Sequence, residues 1–181
     1  EPCYEQMGFS RKVYGRFLTK DVRKAAWSSI LSGACAGVTY GAHGIWNWQK
    51  INKPVNPIMG EGFDTAQPWQ EAIKYAGAWD YGWIRQTLKE LHIQKLIPLQ
   101  EQLIGAAEEI RMAQTEDGRY LIYLPHSTKI KINGSLKGYS ARAIDLESKR
   151  VAQVGTTLKE DITQIEMHPF EGDALIILDK E

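Results

Sequence analysis

The sequence predicts an α/β segment followed by an all-β segment, and two changes along the chain carry that reading. Apolar residues recur at a helical period of 3.6 in separate stretches of residues 1–95, at 19–35 and again from 68 to 91, whereas from about residue 96 to residue 181 they alternate in short runs separated by glycine-containing turns. Length supplies a bound: with 181 residues the chain holds one ordinary domain or two small ones, and a whole eight-stranded α/β barrel, at about 250 residues, does not fit.

The elements follow in order. From Thr19 to about Cys35, Val22, Ala25, Ala26 and Ile30 lie on one helical face, with Thr19 as the expected cap and Asp21 in the first turn. Asp21 and Arg23 read as a solvated helix start. Ser32, Gly33, Ala34 and Gly37 end this helix, and Val38, Thr39 and Tyr40 read as a short buried strand closed by Gly41. Residues 42–64 form a long loop with His43, Trp46, Trp48, two prolines and Gly60 and Gly62, and long loops in compact domains are usually functional or disordered. Helical patterning resumes from Pro68 to Tyr75, breaks at Gly77, and returns with Trp79, Trp83, Ile84, Leu88 and Leu91, a set at core-packing spacing; Pro98 follows.

Beyond residue 96, Asp117 and Gly118 mark the turn of a hairpin between residues 110–114 and 120–124. Further strands are expected at residues 129–132, 141–146, 151–154, 162–167 and 174–178. Closely spaced short strands joined by turns indicate an antiparallel β-sandwich at 96–181.

Composition removes several function classes. Twenty-two basic residues balance 22 acidic ones, so no global field steers a polyanion, and nucleic acid is not expected as a partner. The apolar runs are far shorter than the roughly 20 residues of a membrane span. No basic-then-apolar leader opens the chain, so an intact secretory precursor is not expected either. The chain starts at Glu1 rather than Met and is expected to begin inside a longer protein. Cys3 and Cys35 are too few for a disulfide framework and are expected as buried free thiols. His43, His92, His126 and His168 show no paired spacing, and the glycines of residues 33–44 match no phosphate-binding pattern, so neither metal nor cofactor is expected. A GxSxG elbow is also lacking.

Side chains suited to chemistry gather at two points: Glu1, Tyr4 and Glu5 at the start, and Tyr40, His43, Trp46 and Trp48 after the expected strand. In a β/α arrangement both points are carboxyl ends of strands, where such folds put their sites. A carboxylate beside aromatic rings suits carbohydrate chemistry, since the acid supplies nucleophile or proton and flat rings cover the apolar face of a sugar. The same residues also have a packing reading, with a solvated glutamate and half-buried tryptophans.

The segment EPCYE at residues 1–5, followed after a helix by GACAGVTYGAHGIWNW at residues 33–48, resembles the last two β/α units of the apiosidase-like glycoside hydrolases. The second half is similar to the small β-sandwich that follows such barrels and bears a collagen-binding label, through DGRYLIYLP at 117–125, ARAIDLESKR at 141–150 and HPFEGDALIIL at 168–178; nothing in the sequence supports collagen as a ligand. The resemblance implies the last two units of a TIM-type (β/α)8 barrel over residues 1–95, then the sandwich over 96–181. It also implies a retaining, two-carboxylate cleavage of a plant-type oligosaccharide or polysaccharide, outside the cytoplasm in extracellular or periplasmic space. Glu1 matches the acidic residue at the end of the seventh strand, the nucleophile position, and Glu5 is its rival. Tyr4, Tyr40, His43, Trp46 and Trp48 would bind substrate. The second carboxylate belongs to an earlier strand, and the first six units are absent from this sequence, so the N-terminal barrel portion is an implied partner. The alternative is a noncatalytic sandwich that binds glycan or packs as a structural appendage; a coplanar exposed platform of Tyr120, Tyr123 and Tyr139 would favour glycan binding, and their burial the appendage.

Overall fold

The computed structural model describes residues 3–10, 13–53 and 65–181. The chain divides into two units, residues 1–26 with 38–87, and residues 27–37 with 88–181. No helix among the described residues is long and apolar enough to cross a membrane.

The first unit opens with Gly8–Ser10 (β1) and Val13–Arg16 (β2), an antiparallel hairpin pairing Gly8 with Arg16 and Ser10 with Val13 around an irregularity in register. Neither strand is signalled by the sequence, because both are too short to show an alternation. The helix Thr19–Leu31 (α1) follows. Thr19 does not cap it; its hydroxyl is turned to Glu5. Asp21 does so instead, its Oδ2 accepting the Leu18 N–H at 2.8 Å in the manner of the acidic half of a capping box. Val22, Ala26, Trp27, Ile30 and Leu31 form the buried stripe. Arg23, expected in solvent, is buried: its guanidinium lies 2.7 Å from the Asp80 carboxylate. A partner so far along the chain leaves no local signal.

The strand expected at Val38–Tyr40 does not form. Ala42 makes a single parallel bridge with Glu5, in which the Glu5 N–H donates to Gly41 O at 2.9 Å and the His43 N–H to Glu5 O at 2.8 Å. A parallel strand is stabilised by neighbours along its length and by covered faces, and among the described residues one rung is all that pairs here. Residues 42–53 continue as turns, with Trp48 and Asn52 in the left-handed region at φ 48° and 60°; the remainder of the expected loop, 54–64, lies outside the described residues. Trp69–Ala72 (α2) and Gly77–Glu90 (α3) complete the helices. Gly77 starts α3 rather than breaking it. The buried face of α3 is Gly77, Asp80, Ile84 and Thr87, which turns Trp79 outward at 78% exposure and removes it from the expected core set. The cysteines also differ from expectation: Cys35 is exposed, beyond the turn that ends α1, and Cys3 is partly exposed, its thiol pushed up by burial.

The second unit contains Leu96–Pro98 (β3), a 3₁₀ turn at Gln100–Gln102, Arg111–Thr115 (β4), Tyr120–Leu124 (β5), Ile130–Asn133 (β6), Tyr139–Asp145 (β7), Val151–Val154 (β8), Thr156–Lys159 (β9), Ile162–Ile165 (β10) and Ala174–Lys180 (β11). These form a six-stranded sheet in the order β3-β4-β5-β11-β7-β8 and a three-stranded sheet, β6-β10-β9, all antiparallel. Ile130, Ile132 and Ile165 of the small sheet share one core with Met112, Ile122, Leu124, Ala141, Ala143, Ile176 and Leu178 of the large one, an arrangement compatible with a β-sandwich. The expected hairpin is present as β4 and β5, pairing Arg111 with Tyr123 and Gln114 with Tyr120. The continuous apolar run at 174–178 is explained by β11, a central strand buried along that length. β3 and β9 were not legible in the sequence. β9 is exposed along its length, and β3 holds Pro98, tolerated because β3 is an edge strand.

Candidate functional site

The parallel bridge between Glu5 and Ala42 is what assembles the site, because it sets the segment containing Tyr4 beside the segment containing His43 and Trp46. The Tyr4 and Trp46 rings are 6.3 Å apart, tilted at 47°, and the His43 and Trp46 rings are 6.5 Å apart and nearly parallel at 14°. Trp46 is 51% exposed, whereas His43 is buried. His43 Nδ1 lies 3.4 Å from Gln6 O, a long contact in which the nitrogen donates when that tautomer is present. Two segments more than thirty residues apart in sequence thus present an imidazole, a phenol and an exposed indole together.

Gly41 makes this possible. A Cβ at residue 41 would lie 2.0 Å from the Tyr4 ring, so the ring occupies the space that any side chain there would fill.

Glu5 is 2% exposed. Its Oε1 accepts the Thr19 hydroxyl at 2.6 Å; its Oε2 accepts the Tyr40 hydroxyl at 2.5 Å and the Gly77 N–H at 3.0 Å. The last bond puts a carboxylate at the N-terminus of α3, where the helix dipole favours negative charge. Gly77 is required there for the same reason as Gly41: a Cβ would stand 2.3 Å from Glu5 Oε2. Burial, followed by the bond to Glu5, pushes the Tyr40 phenol far above its ordinary range, so it remains protonated and donating. Tyr81 packs edge-on against Tyr40 at 5.4 Å, donates to Val22 O at 3.3 Å, and is pushed up to about 12 by burial.

Of the residues expected in the site, Tyr4, His43 and Trp46 come together, and Glu5 and Tyr40 form the hydrogen-bonded group beneath the bridge. Trp48 does not join them. Its ring, 56% exposed, stacks on Trp69 at 4.6 Å and 9°. Glu1 lies outside the described residues. The sequence does not signal Thr19, Gly77 or Trp69 as neighbours of these groups: Thr19 has the signature of a cap, Gly77 that of a helix break, and nothing near Trp69 in sequence pairs it with Trp48. No group of three or more His, Cys, Asp or Glu side chains suited to a metal ion occurs among the described residues. A cleft of about 400 Å³ in the second unit, lined by Leu31, Ser32, Pro98, Gln100, Glu108 and Arg111, contains none of the expected site residues.

In the second unit, Tyr123 is buried, and Tyr120 and Tyr139 meet edge-to-face at 5.6 Å and 63°. Three coplanar exposed rings are not formed.

None of the curated proteins matches the chain. Among solved structures, one described as a glycoside hydrolase is 16% identical with a TM-score of 0.70, over 98% of this chain and 41% of that one. A glycoside hydrolase family 5 structure from Bacteroides vulgatus is 17% identical with a TM-score of 0.78, over 98% of this chain and 40% of that one. At such identities the likeness is one of fold, and the chain spans about two fifths of the length of either structure. The model of the apiosidase-like catalytic domain matches residues 1–95, more than half of the 181 residues and the whole of the stretch that sets Tyr4 beside His43 and Trp46, and the chain belongs to the apiosidase-like family.

Proposed function

We propose that this chain is the C-terminal part of a glycoside hydrolase, with residues 1–95 supplying the last two β/α units of a (β/α)8 barrel and the sandwich at 96–181 serving as a structural appendage. The observation that carries the reading is the convergence of Tyr4, His43 and Trp46 across the Glu5–Ala42 parallel bridge within the stretch matched by the family. An exposed indole beside an imidazole and a phenol suits a sugar ring: the indole covers its apolar face, and the polar groups exchange hydrogen bonds with its hydroxyls. Edge-to-face packing of Tyr120 and Tyr139 and burial of Tyr123 support the appendage over a glycan-binding role for the sandwich.

In this reading the substrate is an oligosaccharide or polysaccharide of plant type, met outside the cytoplasm. Glu1, ionised, attacks the anomeric carbon; the bond to the leaving oxygen breaks as an acid from an upstream strand protonates it. Water, deprotonated by the same upstream residue, then releases the sugar from the glycosyl-enzyme with retention. The two carboxyl groups of such a site stand about 5 to 5.5 Å apart. The upstream barrel portion is therefore a required partner, and the 181 residues by themselves are expected to hydrolyse nothing.

The test is a mechanism-based glycosyl inhibitor applied to the full-length protein, followed by peptide mapping. Label on Glu1, with turnover abolished in Glu1→Gln while melting is unchanged, is the expected result. Inversion of the product anomer refutes the covalent mechanism, and hydrolysis by the isolated chain refutes the need for an upstream acid.

A further inference from the structure

We propose that Glu5 is a positioning residue that takes no part in bond making: its carboxylate fastens the segment carrying His43 and Trp46 to the segment carrying Tyr4, and both to the start of α3. The role in turnover rests on the glycoside hydrolase reading; the role in holding the two segments does not.

Glu5 is held through both its backbone and its carboxylate. Its N–H and C=O form the parallel bridge to Gly41 and His43, and its carboxylate oxygens take the Thr19 and Tyr40 hydroxyls and the Gly77 N–H. Three of the roughly four lone-pair sites of a carboxylate are thus filled by protein donors in a residue 2% exposed. A nucleophile needs an oxygen with open space along one lone pair, into which an anomeric carbon can come. Oε2 instead faces the backbone of Gly77 so closely that a Cβ there would lie 2.3 Å away. Tyr40 is only three residues before His43, so the bond from its hydroxyl to Oε2 fixes the chain immediately ahead of the imidazole and Trp46.

Glutamine separates the two roles. An amide at residue 5 keeps an oxygen for Tyr40 and Gly77 and turns its NH2 to Thr19, whose hydroxyl can accept as well as donate. Every bond is retained while the nucleophilic oxygen pair is lost. Alanine removes the bonds.

Glu5→Gln, Glu5→Ala and Tyr40→Phe are made in the full-length protein and compared with Glu1→Gln. Reducing-end release from solubilised plant cell-wall polysaccharide reports turnover; hydrogen–deuterium exchange by mass spectrometry over residues 40–49 reports position. Expected are turnover within about tenfold of wild type and unchanged exchange for Glu5→Gln. For Glu5→Ala, faster exchange and a loss in kcat/KM on the order of a hundredfold are expected, the scale of a misplacement of about an ångström. Tyr40→Phe removes one of the bonds without emptying the site, and it is expected to raise exchange over the same residues even if Glu5→Ala does not fold. Inactivity of Glu5→Gln equal to that of Glu1→Gln, with exchange unchanged, overturns the proposal by making Glu5 a chemical participant. Unchanged exchange in Tyr40→Phe, and in Glu5→Ala if it folds, overturns it by removing the fastening. If the wild type releases no reducing ends, the glycoside hydrolase reading fails, and exchange alone decides the positioning.

Discussion

Replacing Asp80 by Ala tests how burial sets the worth of a charge pair. The Arg23 guanidinium and Asp80 carboxylate are 2.7 Å apart, with side chains only 6% and 9% exposed. At an effective dielectric constant of about 20 that separation corresponds to roughly 6 kcal/mol of attraction, most of which offsets the several kcal/mol needed to take each ion out of water. The intact pair therefore contributes little net stability. Removing one member is different, because Asp80→Ala leaves a permanently charged guanidinium buried in the first unit, at an expected cost of about 3 to 5 kcal/mol. The exposed pair of Lys74 and Glu71, 2.9 Å apart with side chains 66% and 58% exposed, is an internal control of similar geometry, and Glu71→Ala should cost about 0 to 1 kcal/mol. Urea unfolding followed by tryptophan fluorescence measures both. The double variant Arg23→Met, Asp80→Leu should be more stable than Asp80→Ala, since it removes the buried guanidinium together with its carboxylate. A cost below about 1 kcal/mol for Asp80→Ala, or a double variant no more stable than the single one, would refute the reasoning.

Three further outcomes are expected. Gly41→Ala should swing the Tyr4 ring away from Trp46, because a Cβ would meet that ring at 2.0 Å; ligand binding should weaken while the melting temperature stays near wild type, and equal loss of both would assign Tyr4 to packing. Trp46→Ala should reduce substrate binding with little change in melting, whereas Trp48→Ala should lower the melting temperature through loss of the stack on Trp69; the opposite ranking in titration calorimetry and scanning calorimetry would reverse the assignment. Burial holds His168 below the usual histidine range, against the opposing influence of a hydrogen bond with the His126 backbone and of the Asp145 and Asp173 carboxylates. The unfolded ring, with a pKa of about 6.5, takes up a proton that the folded ring refuses. Stability of the second unit should therefore fall as the pH drops through about 6.5, and level off once the pH is below the depressed folded value. That slope should be shallower in His168→Gln, and equal slopes in the two proteins would show that His168 is not its source.

Features that depend on neighbours a few residues apart are legible in the amino-acid order. Helical spacing located α1 and α3, the Asp117-Gly118 turn located the β4–β5 hairpin, and the unbroken apolar run at 174–178 located a strand buried at the centre of its sheet. The string YGAHGIWNW, which resembles the apiosidase-like family, placed His43 and Trp46 in a candidate site, and a two-residue sandwich period separated the second half from the first. Features that need the folded chain involve partners far apart in sequence. Arg23 at the start of α1 looked solvated because Asp80 is 57 residues away. Trp79 looked like core because its spacing suited a buried stripe, yet the face chosen by α3 is the one that brings Asp80 to Arg23 and Gly77 to Glu5. Val38–Tyr40 had the composition of a strand, but a strand is a relation between segments, and here it is reduced to one rung at Ala42. Glu5, residue types alone being ambiguous between acid catalyst and solvated glutamate, is not solvated in its surroundings: three donors from Thr19, Tyr40 and Gly77 converge on it, and a hydrogen bond that spans 72 residues leaves no periodicity for a sequence to display.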